Sequence, residues 1–422
     1  MWRIFADYMM RVMKNSICVG RMIGYIMLTF LVLILLLVTL TAYICWKPPM
    51  SVVLVPFRMI LQIALKYLII VLCIVGILYF YFGILKRQYS YYGMVLYFVS
   101  MLCLILNIIS AMRVVTAKSE QVGISYTAIK AGTEREDYSL VEKEDYAKQL
   151  GIKQCKVFWD SDSPYKNTCI IYLNYGGWSV QDESFGAQVM KFCQKEGYSF
   201  VRLAAEKMEQ ESVLELTQKT DKAINELLEI EEFEHIYLCG GSAGGHMSLL
   251  CANKEAGDEN FPVEGIDKIE GIIALYPCVD PGYSYDYFVD NDAQKQGLLG
   301  KMGDKIYCSL YQGDTGTFAG ETRKLNESIF GVRTDAESYY ESTAIINCLN
   351  STDIPILIVQ GSYDSMTLVQ AVRDFVDELH KRGRTVSYLE LPGVEHVFDM
   401  LPTVAWERCE SEMAGFVRAN SF

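Results

Sequence analysis

The residues best suited to chemistry lie near the middle of the chain. An apolar run at 235–239 meets the sequence GGSAG at 240–244, and a helix-forming run follows. In this setting the serine of G-x-S-x-G occupies a strained turn between a strand and a helix, and small neighbours admit that backbone. We therefore predict Ser242 as a nucleophile. The alternative is a chance match, since the bare motif is short.

A serine hydroxyl is too weakly acidic to attack an ester unaided, so a base and an acid that orients it should follow along the chain. Asp364 follows the apolar run 355–360, and His396 follows the run 386–391. The carboxyl ends of parallel strands meet at one edge of a sheet, where such folds carry their functional loops. The pattern predicts a triad of Ser242, His396 and Asp364.

The other candidates for base and acid fit less well. Of the four histidines, His235 begins the strand before the serine, and His380 lies in a late helix beside basic residues. His246 stands one helical turn after the serine, but its side chain lies beside the helix, so we predict a supporting or packing role. Glu395 and Asp399 are the rival acids, and the alternative for both is a solvated loop.

Ester hydrolysis also needs N–H donors for the developing oxyanion, commonly from a loop after an early strand and from the residue that follows the nucleophile. The apolar run 170–173 leads into the sequence NYGGW at 174–178. Paired glycines let the backbone turn its N–H groups toward a substrate. We predict an oxyanion hole of Gly176, Gly177 and Ala243, and the alternative is a plain Gly-Gly turn.

Beyond Arg113, short apolar β-type runs alternate with amphipathic helical stretches, which is typical of an α/β domain. The pattern predicts a mostly parallel central sheet flanked by helices over residues 151–422. A polar insertion at about 281–340 is expected to cover the active site, and residues 113–150 are expected to be a linker and lead-in. The apolar runs are 169–173, 235–239, 271–275, 355–359 and 386–391, and the helical stretches are 218–228 and 369–379.

The first 112 residues form a different region, in which long apolar runs predict an all-helical membrane domain. Residues 22–44, 67–85 and 91–112 contain no charge, and helices of these lengths cross the ~30 Å hydrocarbon core. We predict three spans. The alternative for the first is a cleaved signal peptide, although the run exceeds the usual length of roughly 7–15 residues.

Between the first two spans, Arg58, Gln62 and Lys66 recur every four residues within segment 51–66. This spacing predicts an amphipathic helix at the membrane surface, with its cations near lipid phosphates. A long, tilted span whose cations reach the surface fits equally well.

Basic residues favour an extracytoplasmic hydrolase domain. The amino-terminal tail and the second loop are basic and belong in the cytoplasm by the positive-inside rule, so three spans put the carboxyl-terminal domain outside. Basic residues of the opposite loop and the abundance of cysteine favour the cytoplasm instead. The first set is Arg3, Arg11, Lys14, Arg21, Lys86 and Arg87, and the opposing set is Lys47, Arg58, Lys66, Arg113 and Lys118.

Composition narrows the remaining functions. A formal net charge of −13 without basic clusters argues against nucleic acid as a partner. The thirteen cysteines show no metal-ligand spacing such as C-x-x-C, so we predict free thiols and no metal site, with a disulfide framework as the alternative. The predicted chemistry requires no metal or organic cofactor.

From Lys153 to the carboxyl terminus, the motifs resemble the hormone-sensitive-lipase-like and related carboxylesterase branch of the α/β-hydrolases, which includes acyl-sugar esterases and isoprenylcysteine methylesterases. The resemblance implies an α/β-hydrolase fold and supports the triad. Segments 174–178, 201–206, 240–246, 361–364 and 396–398 are similar, in that order, to the family's H-G-G-G-[FW], Y-R-L-A-P-E, G-x-S-A-G-x-H, G-x-x-D and H-x-F elements.

Three positions depart from the family pattern. Asn174 stands where the family has His, Tyr175 replaces the first glycine, and Ala205 replaces a proline. These changes bear on the shape of the oxyanion loop and on the acyl group accepted. From the resemblance we expect Tyr175 and Trp178 to line the substrate pocket, and Asn174 and His246 to support the site.

Together these features predict a membrane-anchored serine hydrolase that cleaves a carboxylic ester. The bilayer is the predicted partner, and the substrate is a lipid, an acylated glycan or a small ester. One alternative is an acyltransferase or serine peptidase with the same triad. Another is a catalytically silent, membrane-tethered binding module, motivated by Asn174 and Tyr175. The substrate and the oligomeric state stay open.

Overall fold

A computed structural model describes most of the chain from residue 91 onward. The described residues are 91–133, 139–141, 152–159, 162–208, 211–253, 268–290, 297–350 and 352–421, with scattered positions between 26 and 70. The chain divides into two compact units. One comprises Met1–Cys45 and Pro56–Met112, and the other Trp46–Val55 and Arg113–Phe422.

Helix α1 (Tyr91–Val115), which lies in the first unit up to Met112, is predominantly apolar and has Arg113 in its last turn. Within the described residues, one helix has the length and composition of a membrane span, and it covers Gly93–Val115. The amide of Asn107 donates to the Thr39 hydroxyl at 2.7 Å and to the Cys103 carbonyl at 2.8 Å, so this polar group has partners inside the unit. The predicted spans 22–44 and 67–85 and the amphipathic segment 51–66 lie largely outside the described residues.

The second unit is built on a nine-stranded sheet in the order β1-β11-β10-β9-β8-β4-β7-β3-β2. The six central strands from β11 to β7 are parallel, and β1, β3 and β2 pair antiparallel at the two edges. A separate small hairpin joins β5 and β6. The strands are β1 Glu120–Val122, β2 Ser139–Val141, β3 Ile152–Trp159, β4 Thr168–Leu173, β5 Tyr175–Gly176, β6 Ser179–Val180, β7 Ser199–Ala205, β8 His235–Gly241, β9 Ile269–Leu275, β10 Ile356–Gly361 and β11 Val386–Leu391.

Helices cover both faces of this sheet, which explains why its central strands read as continuous apolar runs. Within β4, Ile171 and Leu173 join one buried apolar cluster, whereas Ile170 and Tyr172 join another on the opposite face. This alternation follows from the two-residue period of a strand. The helices are α2 Ala187–Glu196, α3 Val213–Leu228, α4 Ala243–Asn253, α5 Pro281–Asp290, α6 Gly297–Tyr311, α7 Phe318–Phe330, α8 Glu337–Thr343, α9 Val369–Lys381 and α10 Val404–Ser421.

Two regions differ from the expected organisation. Strands β1 and β2 lie within residues 113–150, so the stretch expected to be a linker contributes both edge strands, and a domain boundary at 151 is too late. The polar insertion expected at 281–340 carries α5, α6, α7 and most of α8, and we call these four helices the cap.

The ten described cysteines are free thiols.

Candidate active site

Ser242 lies on the sharp turn between β8 and α4. Its φ angle is 56°, in the left-handed region that side chains rarely adopt. The backbone holds this turn, because Ser242 N–H donates to the Leu275 carbonyl at 2.9 Å and its own carbonyl accepts from His246 N–H at 3.0 Å. The serine is only half-buried, so its hydroxyl is accessible from the edge of the sheet.

The glycines around the serine are required by close backbone contacts. A Cβ atom on Gly240 would collide with the backbone of Gly244, and one on Gly244 would collide with the carbonyl oxygen of Leu173 at the end of β4. The start of α4 therefore lies directly against the loop that follows β4. This packing places the start of α4, which follows Ser242, beside the segment that leads into Gly176 and Gly177.

The imidazole of His396 bridges the other two predicted triad residues. Its Nε2 lies 3.0 Å from the Ser242 hydroxyl, and its Nδ1 lies 2.8 Å from Oδ2 of Asp364. The histidine side chain is 10% exposed and the aspartate side chain is fully buried. Since an ionised carboxylate only accepts, Nδ1 carries the proton and Nε2 presents its lone pair to the serine.

Four further donors hold the Asp364 carboxylate in one orientation. Its Oδ1 accepts from the N–H groups of Met366 at 2.9 Å and Thr367 at 2.8 Å. Its Oδ2 accepts from the Gln360 amide at 3.0 Å and the Thr367 hydroxyl at 2.9 Å. These four hydrogen bonds orient the Asp364 carboxylate independently of its contact with the histidine.

A second buried carboxylate lies behind the histidine. The ring of Tyr276 packs edge-on against His396, with centroids 4.6 Å apart, and its hydroxyl donates to Asp399. Burial raises the pKa of Asp399 above its ordinary value, and the hydrogen bond from Tyr276 and the nearby His396 oppose that rise. No motif in the sequence singles out Tyr276. Its position directly after β9, at the edge of the sheet where functional loops lie, is the feature that could have identified it.

The solvated-loop alternative for the two rival acids is wrong. Asp399 is 3% exposed, and Glu395 is 6% exposed and accepts from the N–H and hydroxyl of Ser365. Of the three carboxylates near the histidine, Asp364 is the one in direct hydrogen-bond contact with the imidazole. Asp399 makes its hydrogen bond to Tyr276, whose ring packs against the imidazole.

Asn174 fastens the loop that follows β4. Its amide nitrogen donates to the Gln154 side chain at 2.9 Å and to the carbonyls of Gln181 at 2.8 Å and Asp182 at 3.2 Å. The main-chain carbonyl of Asn174 accepts from Gln181 N–H at 3.1 Å. The side chain thus closes the β5–β6 hairpin, which carries the glycine pair, instead of facing the serine.

Tyr175, expected to line the substrate pocket, instead points into the core. It is 2% exposed. Its hydroxyl lies 2.9 Å from the Thr220 hydroxyl and accepts from Ala205 N–H at 2.7 Å. The bulk that replaces the family's glycine is therefore accommodated between β7 and α3, away from the site.

Trp178 and His246 join the hairpin to the elbow and the cap. The indole N–H of Trp178 donates to His246 Nδ1 at 3.1 Å, and Nε2 of the same imidazole donates to the Thr343 carbonyl at 2.8 Å. Trp178 also packs edge-on against Phe330 at the end of α7, with centroids 4.9 Å apart. Burial lowers the pKa of His246 to about 4, so this histidine is neutral and both its nitrogens have partners.

The predicted oxyanion donors lie on the two segments that meet at the serine. Ala243 is the first residue of α4, directly after Ser242. Gly177 has a φ angle of 55° and faces Leu325 of the cap, while the Gly176 carbonyl accepts from the Gln181 amide at 3.0 Å. Their role toward a substrate stays a prediction. Among the described residues, no group of His, Cys, Asp and Glu is arranged to hold a metal ion.

The strand order, the elbow at Ser242 and a family match support an α/β-hydrolase fold for the second unit. Residues 209–400 match the family model described as alpha/beta hydrolase fold. That segment contains all three residues of the predicted triad.

Curated relatives match over part of their length. One is the probable carboxylic ester hydrolase LipM of Mycobacterium tuberculosis, 26% identical over 172 residues, which covers 40% of this chain and 33% of the relative. Another is esterase LipC of the same organism, 25% identical over 171 residues, covering 39% of this chain and 35% of the relative. The chain thus spans about a third of the length of these relatives.

Solved structures of esterases are also similar. An inhibited esterase B from Lactobacillus rhamnosis has a TM-score of 0.49 at 15% identity, covering 69% of this chain and 89% of that one. A thermophilic esterase from Thermogutta terrifontis has a TM-score of 0.46 at 15% identity, covering 68% and 95%.

Proposed function

We propose that this chain is a membrane-anchored serine hydrolase that cleaves carboxylic esters through Ser242, His396 and Asp364. The observation that carries the proposal is the bridging imidazole, which lies within hydrogen-bond distance of both the hydroxyl and the carboxylate. The names of the curated relatives, an ester hydrolase and an esterase, support the ester as the bond that is cleaved.

In the proposed reaction, the Ser242 hydroxyl attacks the ester carbonyl carbon while His396 Nε2 takes its proton. The tetrahedral intermediate then expels the alcohol, which receives the proton back from the imidazolium, and an acyl-enzyme remains. Water repeats the sequence and releases the acid. Asp364 keeps the imidazole in the Nδ1–H tautomer and stabilises its positive charge.

The N–H groups of Gly176, Gly177 and Ala243 are the proposed donors to the oxyanion. The contact of Gly244 with Leu173 supports this role, because it holds the start of α4 and the hairpin loop together. Donors fixed before the reaction stabilise developing charge without reorganisation, and the loss of one typically slows an enzyme about 100-fold to 1000-fold.

Membrane anchoring rests on the apolar sequence before residue 113 and on the one span-length helix among the described residues. We propose that this region holds the hydrolase domain at a bilayer. Alkaline carbonate extraction of cell membranes tests the anchor separately from the chemistry. The full-length chain is expected in the membrane pellet, and its release into the supernatant would contradict the anchor.

A fluorophosphonate probe tests the nucleophile directly. The wild-type chain is expected to be labelled, whereas Ser242→Ala and His396→Ala should lose the label. Ser248→Ala is the matched control, because this buried serine donates within α4 to the Gly244 carbonyl and should not alter labelling. Unlabelled wild type would favour the silent binding module, and ester formation with an added acceptor alcohol would favour the acyltransferase.

A further inference from the structure

Cap helix α6 presents its large apolar side chains to the outside. These residues recur every four positions, so they form a stripe along one side of the helix. Their exposed fractions are 76% for Leu298, 50% for Met302, 39% for Ile306 and 63% for Leu310. A helix on a protein surrounded by water normally shows the opposite pattern.

The described residues of α6 that pack against the protein are two glycines, an aspartate and a tyrosine. Gly300 and Gly303 are buried there. The buried carboxylate of Asp304 accepts from Phe318 N–H at 2.9 Å, and Tyr307 packs edge-on against the Phe318 ring at 4.9 Å. These contacts fix the orientation of α6. The apolar stripe therefore faces outward because of packing within the cap.

The charges of α6 identify the kind of surface it faces. Lys301 and Lys305 flank the stripe and are exposed, whereas Asp304, the one acid of this helix, is buried. The exposed charge is therefore positive on a chain whose formal net charge is −13. An apolar stripe bordered by lysines is the pattern of a helix that lies at the surface of an anionic bilayer.

A second copy of the chain fits this face less well. The stripe offers four side chains, whereas a stable interface buries ~800 Å² and roughly 20–30 residues on each partner. A two-fold pairing along α6 would also bring the lysines of the two copies together.

We infer that α6 docks into the headgroup region of a bilayer that contains anionic lipids, and that the ester substrate enters the active site from that bilayer. The substrate part rests on the proposed esterase function. The next helix, α7, links the two, because a Cβ atom on Gly177 would lie 3.4 Å from the Leu325 side chain. The cap that bears the apolar stripe thus touches the predicted oxyanion loop.

Photocrosslinking tests the docking without reference to catalysis. The full-length chain carries p-benzoylphenylalanine at Met302 or Leu310 and is reconstituted in phosphatidylcholine vesicles with roughly 30% phosphatidylglycerol. Lipid adducts are expected at both positions. The matched control is the same residue at Met208, a side chain that is 62% exposed and lies outside the cap, where no lipid adduct is expected.

Other outcomes would overturn the docking. A protein–protein adduct at position 302 would indicate a second copy, and equal lipid adducts at position 208 would indicate unspecific contact. Absence of any adduct at 302 and 310 would leave the stripe in water. Lys301→Glu with Lys305→Glu should lower the adduct yield to that in pure phosphatidylcholine, because the anionic attraction is removed.

Kinetics tests the substrate part. The triple variant Leu298→Gln, Met302→Gln and Leu310→Gln should hydrolyse a long-chain ester embedded in the vesicles about tenfold more slowly than the wild type. Its hydrolysis of water-soluble p-nitrophenyl acetate should not change. Equal slowing of both esters would overturn entry from the bilayer. If the wild type hydrolyses neither ester, the proposed function fails, while the crosslinking result still decides the docking.

Discussion

At the scale of single residues, the Tyr276 hydroxyl determines how much stability the chain loses when the buried Asp399 carboxylate ionises. Asp399 holds its proton to a higher pH in the folded chain than in the unfolded chain, because burial raises its pKa. The unfolded chain therefore binds fewer protons through that range, and stability falls as pH rises through the raised pKa. The hydrogen bond from Tyr276 limits this loss.

The Tyr276→Phe substitution should enlarge the loss of stability that accompanies the rise in pH. We expect the variant to be destabilised by about 2 kcal/mol near pH 8 and by less near pH 5, because the ionised carboxylate loses its donor. Denaturant unfolding at the two pH values measures this. Asp399→Asn in the same background should remove the pH dependence, and an equal loss at both pH values would contradict the account.

The burial of the His246 imidazole predicts a second effect of pH on stability, opposite in sign to that of Asp399. The pKa of His246 is lowered to about 4 by burial, so between that value and the ordinary pKa of about 6.5 the unfolded chain takes up a proton that the folded chain refuses. The stability contributed by neutral His246 is fully present above the upper value and is lost as pH falls toward the lower one. The full change is on the order of 3 kcal/mol.

His246→Gln should flatten this part of the stability profile, since glutamine both accepts from Trp178 and donates to Thr343 without titrating. Thermal unfolding between about pH 7 and about pH 4 measures the difference from the wild type. Identical profiles for the wild type and His246→Gln would disprove the assignment.

At the scale of elements, the β5–β6 hairpin depends on one amide. Asn174→Ala removes a side-chain amide whose two N–H groups are shared among three acceptors and close the loop carrying the glycine pair. We expect kcat for an ester to fall about tenfold with little change in KM, because loosely held oxyanion donors act mainly on the transition state. Steady-state kinetics measures both constants. Gln154→Ala removes one acceptor and should have a smaller effect, and a change confined to KM would contradict this role.

Five of the six central parallel strands could be predicted from sequence, because a parallel strand covered on both faces is a continuous apolar run. The sixth, β7, was not among the predicted runs, since Arg202 interrupts its apolar residues. The run 386–391 coincides with β11, and the run 169–173 lies within β4. Strands β1 and β2 were missed, since three-residue edge strands carry too few apolar residues to stand out.

The motif and the chain order led to Ser242, Asp364 and His396, and the structure places the His396 imidazole within hydrogen-bond distance of the other two side chains. Their catalytic role stays a prediction. The direction of the Tyr175 side chain could not be predicted, because a one-residue offset in a short strand turns a side chain from the pocket to the core. The burial of Asp399 depends on Tyr276, which lies far from it in the chain, and sequence spacing contains no such contact.

At the scale of the whole molecule, an odd number of spans predicts a hydrolase domain outside the cytoplasm. A reporter enzyme that works only outside the cytoplasm, fused after Phe422, should therefore be active. A second reporter that works only in the cytoplasm, fused at the same position, is the control and should be silent. The reverse result would mean an even number of spans or the opposite orientation of three spans, and it would make cell-envelope esters implausible substrates.

Edge strand β1 also limits where the two regions can be separated. It pairs with β11 through Glu120, Gln121 and Val122, and the nearby Tyr126 hydroxyl donates to Ser387 at 2.7 Å. A truncated protein that starts at residue 151 would bare the amide row of β11, a strand rich in valine, tyrosine and leucine, and exposed edges of this kind recruit other chains. A soluble hydrolase should therefore retain the chain from just before Glu120, and shorter versions are expected to aggregate.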